Sequence, residues 1–413
     1  MRNTDYRTTD YRTIDYVGAY YDEREKEAVM RVLDSSIRVG ENVAAMEQKT
    51  AQAWGKTHGI MVNSGSSALQ VAHDLLQGEM QPGDEFITSA VTFSTTIAGS
   101  LRHGFVPVVI DVEPDTYQID VSQIEPNLSD RTKAIVVPNL AGNCPDWDAI
   151  RAIADTHSLI VVEDSCDTFG PKLRGTPTGT RSDISVTSFA MSHIITAMGT
   201  GGMVMTDRED WWDEALLLRR WGRSSEPRFY GTKREDRGRF LKELDGVAYD
   251  QLFVFELLGH NFEPSEVAAA FGLVQLERVD DFAQSRRHNA AAHIEFLKAH
   301  ADVFVPTRET EGLETCWLQF PLLLRENAPF SRTEFQMHMK KRGIATRMVW
   351  TGNVLRQPMM SNVATREGKD GCPNADAIME RGVLIPCHQM MTEDDLIYIH
   401  QAIEDIITHG PST

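Results

Sequence analysis

Disulfide chemistry and zinc binding have little to work with in this chain. Its five cysteines (Cys144, Cys166, Cys316, Cys372 and Cys387) are odd in number, scattered through 413 residues, and form no CxxC pair. Such spacing argues against a disulfide framework or a structural zinc site and fits reduced thiols, so a cytoplasmic setting without bound metal is expected. Positive charge is also scarce. Lys and Arg number 41 against 60 Asp and Glu, leaving a formal charge of −19. The basic footprint that nucleic acid or an anionic membrane surface requires is therefore missing, although local basic pockets for small anions remain open. No apolar run reaches the roughly 18 residues of a membrane span, and no secretory h-region is present. The first residues carry a polar echo, TDYRT-TDYRT-IDY. Residues 1–19 are accordingly expected to form a flexible arm without a role.

What the chain does contain is rhythm. Charged and apolar residues recur at helical spacing over Tyr21–Leu33 and Glu41–Trp54. Then short apolar runs appear at Gly59–Val62, Glu85–Thr88, Val106–Asp111, Lys133–Pro138, Leu159–Glu163, Ser185–Phe189 and Gly202–Met205, separated by helical patterns. That alternation predicts βαβ units and a mostly parallel sheet covered on both faces. Residues 208–260 read as charged and loop-rich, with a helix over Asp210–Arg220, and a long helical pattern runs from Pro264 to about His300. The last hundred residues mix strands (Trp317–Leu323, Gly343–Met348) with helices (Arg332–Arg342, Glu393–Ile407), as a smaller α+β domain would. The expected division is a large α/β domain over 20–280 and a small domain over 281–413.

Two segments carry chemistry on their own terms. Asn63-Ser64-Gly65-Ser66-Ser67 follows the first strand and opens a helix. Small residues at a helix N-terminus offer free N–H groups and hydroxyls to a phosphate, or simply make a strand–turn–helix junction with a serine cap. Glu163-Asp164-Ser165-Cys166-Asp167 ends a strand that otherwise reads as buried, and ligand sites of open α/β sheets lie at such ends. A carboxylate there can pair with a protonated ring nitrogen, or cap a helix.

Three further segments supply context: Gly179-Thr180-Arg181-Ser182-Asp183, Thr187-Ser188-Phe189-Ala190-Met191-Ser192-His193, and Gly199-Thr200-Gly201-Gly202. In this order and spacing they resemble the DegT/DnrJ/EryC1/StrS family of sugar aminotransferases. Ala90–Thr96, Pro107–Val112, Leu258–Phe262 and Ala268–Leu276 extend the resemblance over about residues 20–407. It implies a fold type I pyridoxal-phosphate enzyme, with a three-layer αβα large domain, a mostly parallel sheet and a small C-terminal α+β domain. Carried over by position, Gly65, Ser66 and Ser188 would hold the cofactor phosphate, Asp164 would pair with the pyridine nitrogen, and Phe93 would stack on the ring. Asn143 would lie near the ring substituents. Asn261 would reach the phosphate from a second subunit, since sites of this family are shared across a homodimer. Arg347 and Arg356 could take a diphosphate or the carboxylate of an amino donor, and His388 could line the substrate mouth; ordinary surface or capping roles compete for all three.

The resemblance breaks at one informative place. His193 stands where the family has its Schiff-base lysine, and no lysine occurs between Lys172 and Lys233. An imidazole cannot anchor the cofactor covalently but can still move protons near neutral pH. The change resembles the subgroup of nucleotide-sugar 3-dehydratases acting on 4-keto-6-deoxyhexoses, which work through pyridoxamine 5'-phosphate, in the cluster-free type with L-glutamate as amino donor. Arg219–Arg223 and Thr346–Pro358 resemble segments of the CDP-sugar branch. That branch carries an iron–sulfur cluster on cysteines, yet here the matching stretch is Ser224-Ser225-Glu226-Pro227. Thiolates are what such a cluster needs, so dehydration without an iron–sulfur cluster is expected, as in the GDP-sugar branch. Ala190 and Ile194 depart from residues common in the subgroup. Two alternatives stay open: an aminotransferase in which histidine shuttles the proton, and a non-catalytic homologue that only binds the cofactor.

Overall fold

The computed structural model describes residues 12–234 and 241–410. The apolar runs become seven strands of one sheet: β1 (His58–Val62), β2 (Glu85–Ser89), β3 (Val106–Ile110), β4 (Thr132–Pro138), β5 (Ile160–Asp164), β6 (Ile184–Ser188) and β7 (Gly202–Thr206). Their order is β1-β7-β6-β5-β4-β2-β3, with Arg366–Glu367 added at the far edge. Only β7 runs antiparallel to its neighbours; the other pairings are parallel. Between them lie α1 (Glu23–Ser35) and α2 (Glu41–Ala53), which precede β1, then α3 (Gly65–Leu75), α4 (Ser94–Arg102), α5 (Trp147–His157) and, after β7, α6 (Glu209–Arg219).

Successive residues of a strand point to opposite faces, and the cores divide accordingly. Val136 and Val162 pack with Ala68, Leu69 and Ala72 of α3. Ile135, Val137 and Val161 pack on the other face with Trp147 and Ile150 of α5. Both faces are thus covered, which is why the central strands are buried at nearly every position. Among the described residues no helix is long and apolar enough to cross a membrane.

The long helical pattern does not stay whole. It breaks at Glu277–Arg278 into α7 (Glu266–Leu276) and α8 (Val279–Ala299). At the break Arg278 donates to buried Glu25 of α1 at 2.9 and 3.1 Å and pairs with Asp22 at 2.6 Å. The first turn of α8 sits in the large core, where Phe282 and Ala283 meet Trp54 and Phe189. Its later turns belong elsewhere: Ala290 and Leu297 pack with Phe304, Phe320 and Ile385. One helix therefore serves two cores, and position 280 lies at its start. The second core is built on a three-stranded antiparallel sheet of Phe304–Val305, Phe320–Leu324 and Gly382–Ile385, with α9 (Arg332–Lys341), α10 (Pro373–Arg381) and α11 (Glu393–His409) nearby.

Two expectations need correction. Gly343–Met348 is not a strand; it makes only single bridges, Ile344 to Ile14 and Arg347 to Leu384. The left-handed turn at Gly343 (φ +71°) prevents a regular ladder there. The expected flexible arm splits as well. Residues 1–11 lie outside the described residues, but 12–19 are docked, with Ile14 only 4% exposed in the small core.

Candidate active site

The chemistry-bearing segments meet where the carboxyl ends of β5 and β6 face the N-terminus of α3. There a cleft of about 320 Å3 opens, lined by Gly65, Ser66, Phe93, Asp164, Ser188, His193 and Arg347 among others. Its size and position match the crevice at strand ends that such sheets offer to a small molecule.

Each residue is placed by an ordinary local rule. Ser64 caps α3 by accepting from the Ser67 amide at 3.1 Å, which leaves Gly65 and Ser66 at the helix opening. A side chain at Gly65 would meet Ser188 Cβ at 2.6 Å and its Oγ at 2.9 Å, so only glycine keeps this floor open. Phe93 stands in extended backbone just before α4, half-exposed to the cleft.

Strand alternation sorts the two acids of β5. Glu163 turns away and is held by Asn139, Ser165 and Ser185 at 2.7–2.9 Å. Asp164 turns into the cleft, accepting from Thr96 Oγ1 at 2.7 Å and the Cys166 amide at 3.1 Å. Burial raises its pKa, with the Thr96 and Cys166 hydrogen bonds opposing. Asp167 lies beside it, accepts from the Ala141 amide at 3.2 Å, and is pushed well above the usual carboxyl range by burial and by Asp164. Neither acid is within ion-pair distance of a basic side chain among the described residues. The buried Asp164 carboxyl, with the partly buried Asp167 beside it, forms a seat for a cationic group.

His193 sits on the loop after β6, its amide bonded to Ala190 O at 3.0 Å. The ring reaches the cleft wall, and its Nδ1 is buried without a hydrogen-bond partner. Loss of solvation lowers its pKa to about 4; the Cys166 carbonyl opposes this and the buried Arg286 guanidinium adds to it. At neutral pH the imidazole is therefore uncharged and able to accept a proton. No lysine is among the described residues lining the cleft.

Several residues marked in the sequence stand elsewhere. Asn143 is buried away from the cleft, donating to Thr116 O and Arg308 O and accepting from the Cys144 and Thr310 amides. The left-handed turn at Ala141–Gly142 sends it there. Arg356 forks onto Asp376 at 3.1 and 2.8 Å on the surface. His388 lies behind the wall, with Nε2 donating to Asp15 O at 3.0 Å. Asn261 is exposed outside its own chain's cleft, in a bridge with Arg220. Conversely, Tyr16, Thr95, Cys166, Asp167, Gln319 and Trp350 line the cleft without having been singled out for it. Asp167 had a readable signal, three residues beyond Asp164; Tyr16 had none. In the Ser224–Pro227 stretch Ser224 Oγ donates to Gln251 O at 3.0 Å. Among the described residues no group of three or more His, Cys, Asp and Glu converges as a metal site.

Comparison with known proteins places this architecture. The model of the DegT/DnrJ/EryC1/StrS aminotransferase family matches residues 19–404. The lipopolysaccharide biosynthesis protein RfbH of Salmonella typhimurium is 33% identical, over 90% of this chain and 86% of its own length. The dTDP-4-dehydro-2,6-dideoxy-D-glucose 3-dehydratase of Saccharopolyspora spinosa is 32% identical, over 94% of this chain and 86% of its own. Among solved structures, GDP-4-keto-6-deoxymannose-3-dehydratase with a trapped PLP–glutamate geminal diamine superposes with a TM-score of 0.84 at 27% identity, covering 95% of this chain and all of that one. By fold, by the cleft at the strand ends and by sequence along nearly its whole length, the chain belongs to the DegT/DnrJ/EryC1/StrS aminotransferase family.

Proposed function

We propose that this protein is a pyridoxal/pyridoxamine 5'-phosphate enzyme that removes the C3 hydroxyl of a nucleotide-linked 4-keto-6-deoxyhexose, without an iron–sulfur cluster. The observation that carries the reading is His193: an uncharged imidazole at the cleft wall whose buried Nδ1 has no hydrogen-bond partner, with no lysine among the described residues lining the cleft. The cleft also fits the cofactor. Gly65, kept free of a Cβ by Ser188, leaves room for a phosphate at the start of α3. The unpaired carboxyl of Asp164 suits a protonated pyridine nitrogen, and the exposed ring of Phe93 suits stacking. The 3-dehydratases among the relatives, one of them captured with a PLP–glutamate adduct, support the same chemistry and L-glutamate as the amino donor.

When bound in its amine form, the cofactor supplies a nitrogen that condenses with the sugar ketone and an electron sink next to it. The protein's share is then to hold and to move protons. Ser66 and Ser188 fix the phosphate end, and Asp164 keeps the ring nitrogen charged. His193 Nδ1 or Nε2 takes the proton whose removal drives out the neighbouring hydroxyl, and the same ring can return it to that leaving oxygen. Lacking a lysine, the site has no covalent route for passing the amine on as product, which favours loss of water over amination. In a homodimer, Asn261 of one protomer would serve the phosphate of the other, in keeping with its place outside its own cleft.

The test is incubation with PLP, L-glutamate and a panel of nucleotide-linked 4-keto-6-deoxyhexoses, with products read by mass. Loss of the hydroxyl is expected. A product that has gained an amine would establish the aminotransferase instead, and no turnover on any ketone would leave a cofactor-binding homologue.

A further inference from the structure

The segment just before the family match has a place in the cleft. Residues 12–18 run as a strap across the small domain. Ile14 donates to Gly343 O at 2.9 Å and accepts from the Ala345 amide at 2.9 Å. Arg12 forks onto Asp395 at 2.6 and 3.1 Å and lies over the Tyr398 ring. His388 Nε2 donates to Asp15 O, Gln319 Nε2 to Tyr16 O at 3.4 Å and Gln389 Nε2 to Gly18 O at 2.6 Å. Two glycines let the strap lie this close. A Cβ at Gly343 would meet Arg12 O at 2.2 Å, and one at Gly18 would meet His388 Nδ1 at 2.6 Å.

These anchors hold Tyr16 at the cleft wall, where its ring lies 3.8 Å from the Arg347 guanidinium carbon. Arg347 donates one N–H to Thr346 O at 3.0 Å and is within ion-pair distance of no carboxylate among the described residues. A guanidinium stacked on an aromatic face keeps its in-plane N–H groups free, the geometry that takes an oxyanion by two parallel hydrogen bonds.

We infer that the strap is a built wall of the active cleft, and that Tyr16 is a positioning residue that aims Arg347 at an oxyanion of the substrate, a carboxylate or a phosphate. This rests on the cleft being the substrate site, as proposed above, but not on the reaction carried out there. Binding without turnover therefore tests it. Calorimetric titration of the PLP-loaded full chain with 2-oxoglutarate in one arm, and with GDP and dTDP in the other, compares wild type with Tyr16→Ala, Tyr16→Phe and Arg347→Ala. Arg347→Ala is expected to weaken one class of ligand by about 50-fold, as loss of a bidentate contact does. Tyr16→Ala should weaken the same class about 5-fold, and Tyr16→Phe, which keeps the ring face, should stay within about twofold of wild type. Loss confined to 2-oxoglutarate assigns a carboxylate; loss confined to the diphosphates assigns a phosphate. Cofactor affinity should not move in any variant. The inference is overturned if wild type binds neither class, if Tyr16→Ala binds both as tightly as wild type, or if Tyr16→Phe loses as much as Tyr16→Ala. Because no product is measured, an enzyme that fails to dehydrate can still pass or fail this test.

Discussion

Replacing His193 by lysine should give the cofactor a covalent link at the cleft wall, and burial sets the direction of its pH dependence. Burial takes the imidazole from 6.5 to about 4, a penalty on the charged form of about 3 kcal/mol. An ammonium at the same place, facing the same Arg286 field, would be penalised in the same direction, so a lysine there would lose its proton at a lower pH than in water. The free amine could then react with the aldehyde of PLP. The assay is the visible absorbance of PLP-loaded His193→Lys between about pH 6 and 10, followed by borohydride reduction and mass spectrometry of the peptide. A reduced adduct on residue 193, with absorbance rising with pH, is expected; wild type should give none. If the variant binds PLP with wild-type affinity but shows no adduct even at pH 10, the side chain at 193 does not face the cofactor. The placement of the base would then be refuted.

Gly65→Ala should raise the Kd for PLP at least 10-fold, read by absorbance titration, because its methyl group meets Ser188 Cβ at 2.6 Å; overpacking of this kind costs about 1–3 kcal/mol. Unchanged affinity would show that the phosphate sits elsewhere. Asp164→Asn should lower turnover by at least 100-fold, about 3 kcal/mol of barrier. Melting temperature should hold or rise, since a buried carboxyl without a cationic partner is removed; a lower melting temperature would contradict the unpaired reading. Acid should weaken the fold below neutrality. Burial lowers His73 to about 4 and His293 to about 3. Both native pKa values lie below the unfolded value of 6.5, so the unfolded chain binds more protons and stability falls as pH drops from 6.5 toward 4. Each contributes about 1.4 kcal/mol per pH unit at most. Urea unfolding between pH 7 and 4.5 measures this, and His73→Gln should flatten the slope.

The sequence by itself determined the sheet. All seven short apolar runs lie where strands form, because strands covered on both faces must bury most of their side chains. It also placed the segments that meet in the cleft, since a strand end and the following helix start are fixed by local chain geometry. The missing lysine was legible for the same reason: position 193 is set by its distance from Ser188. Tertiary structure alone decided the rest. Asn143 and Arg356 are claimed by Thr116, Arg308 and Asp376, partners far along the chain. The break before α8 depends on Glu25, more than 250 residues away in sequence. Tyr16 reaches the cleft only because Ile14 finds a pocket in the small domain and Gly343 lets the backbone approach. Local propensity carries no record of such pairings, which exist only once both partners are folded.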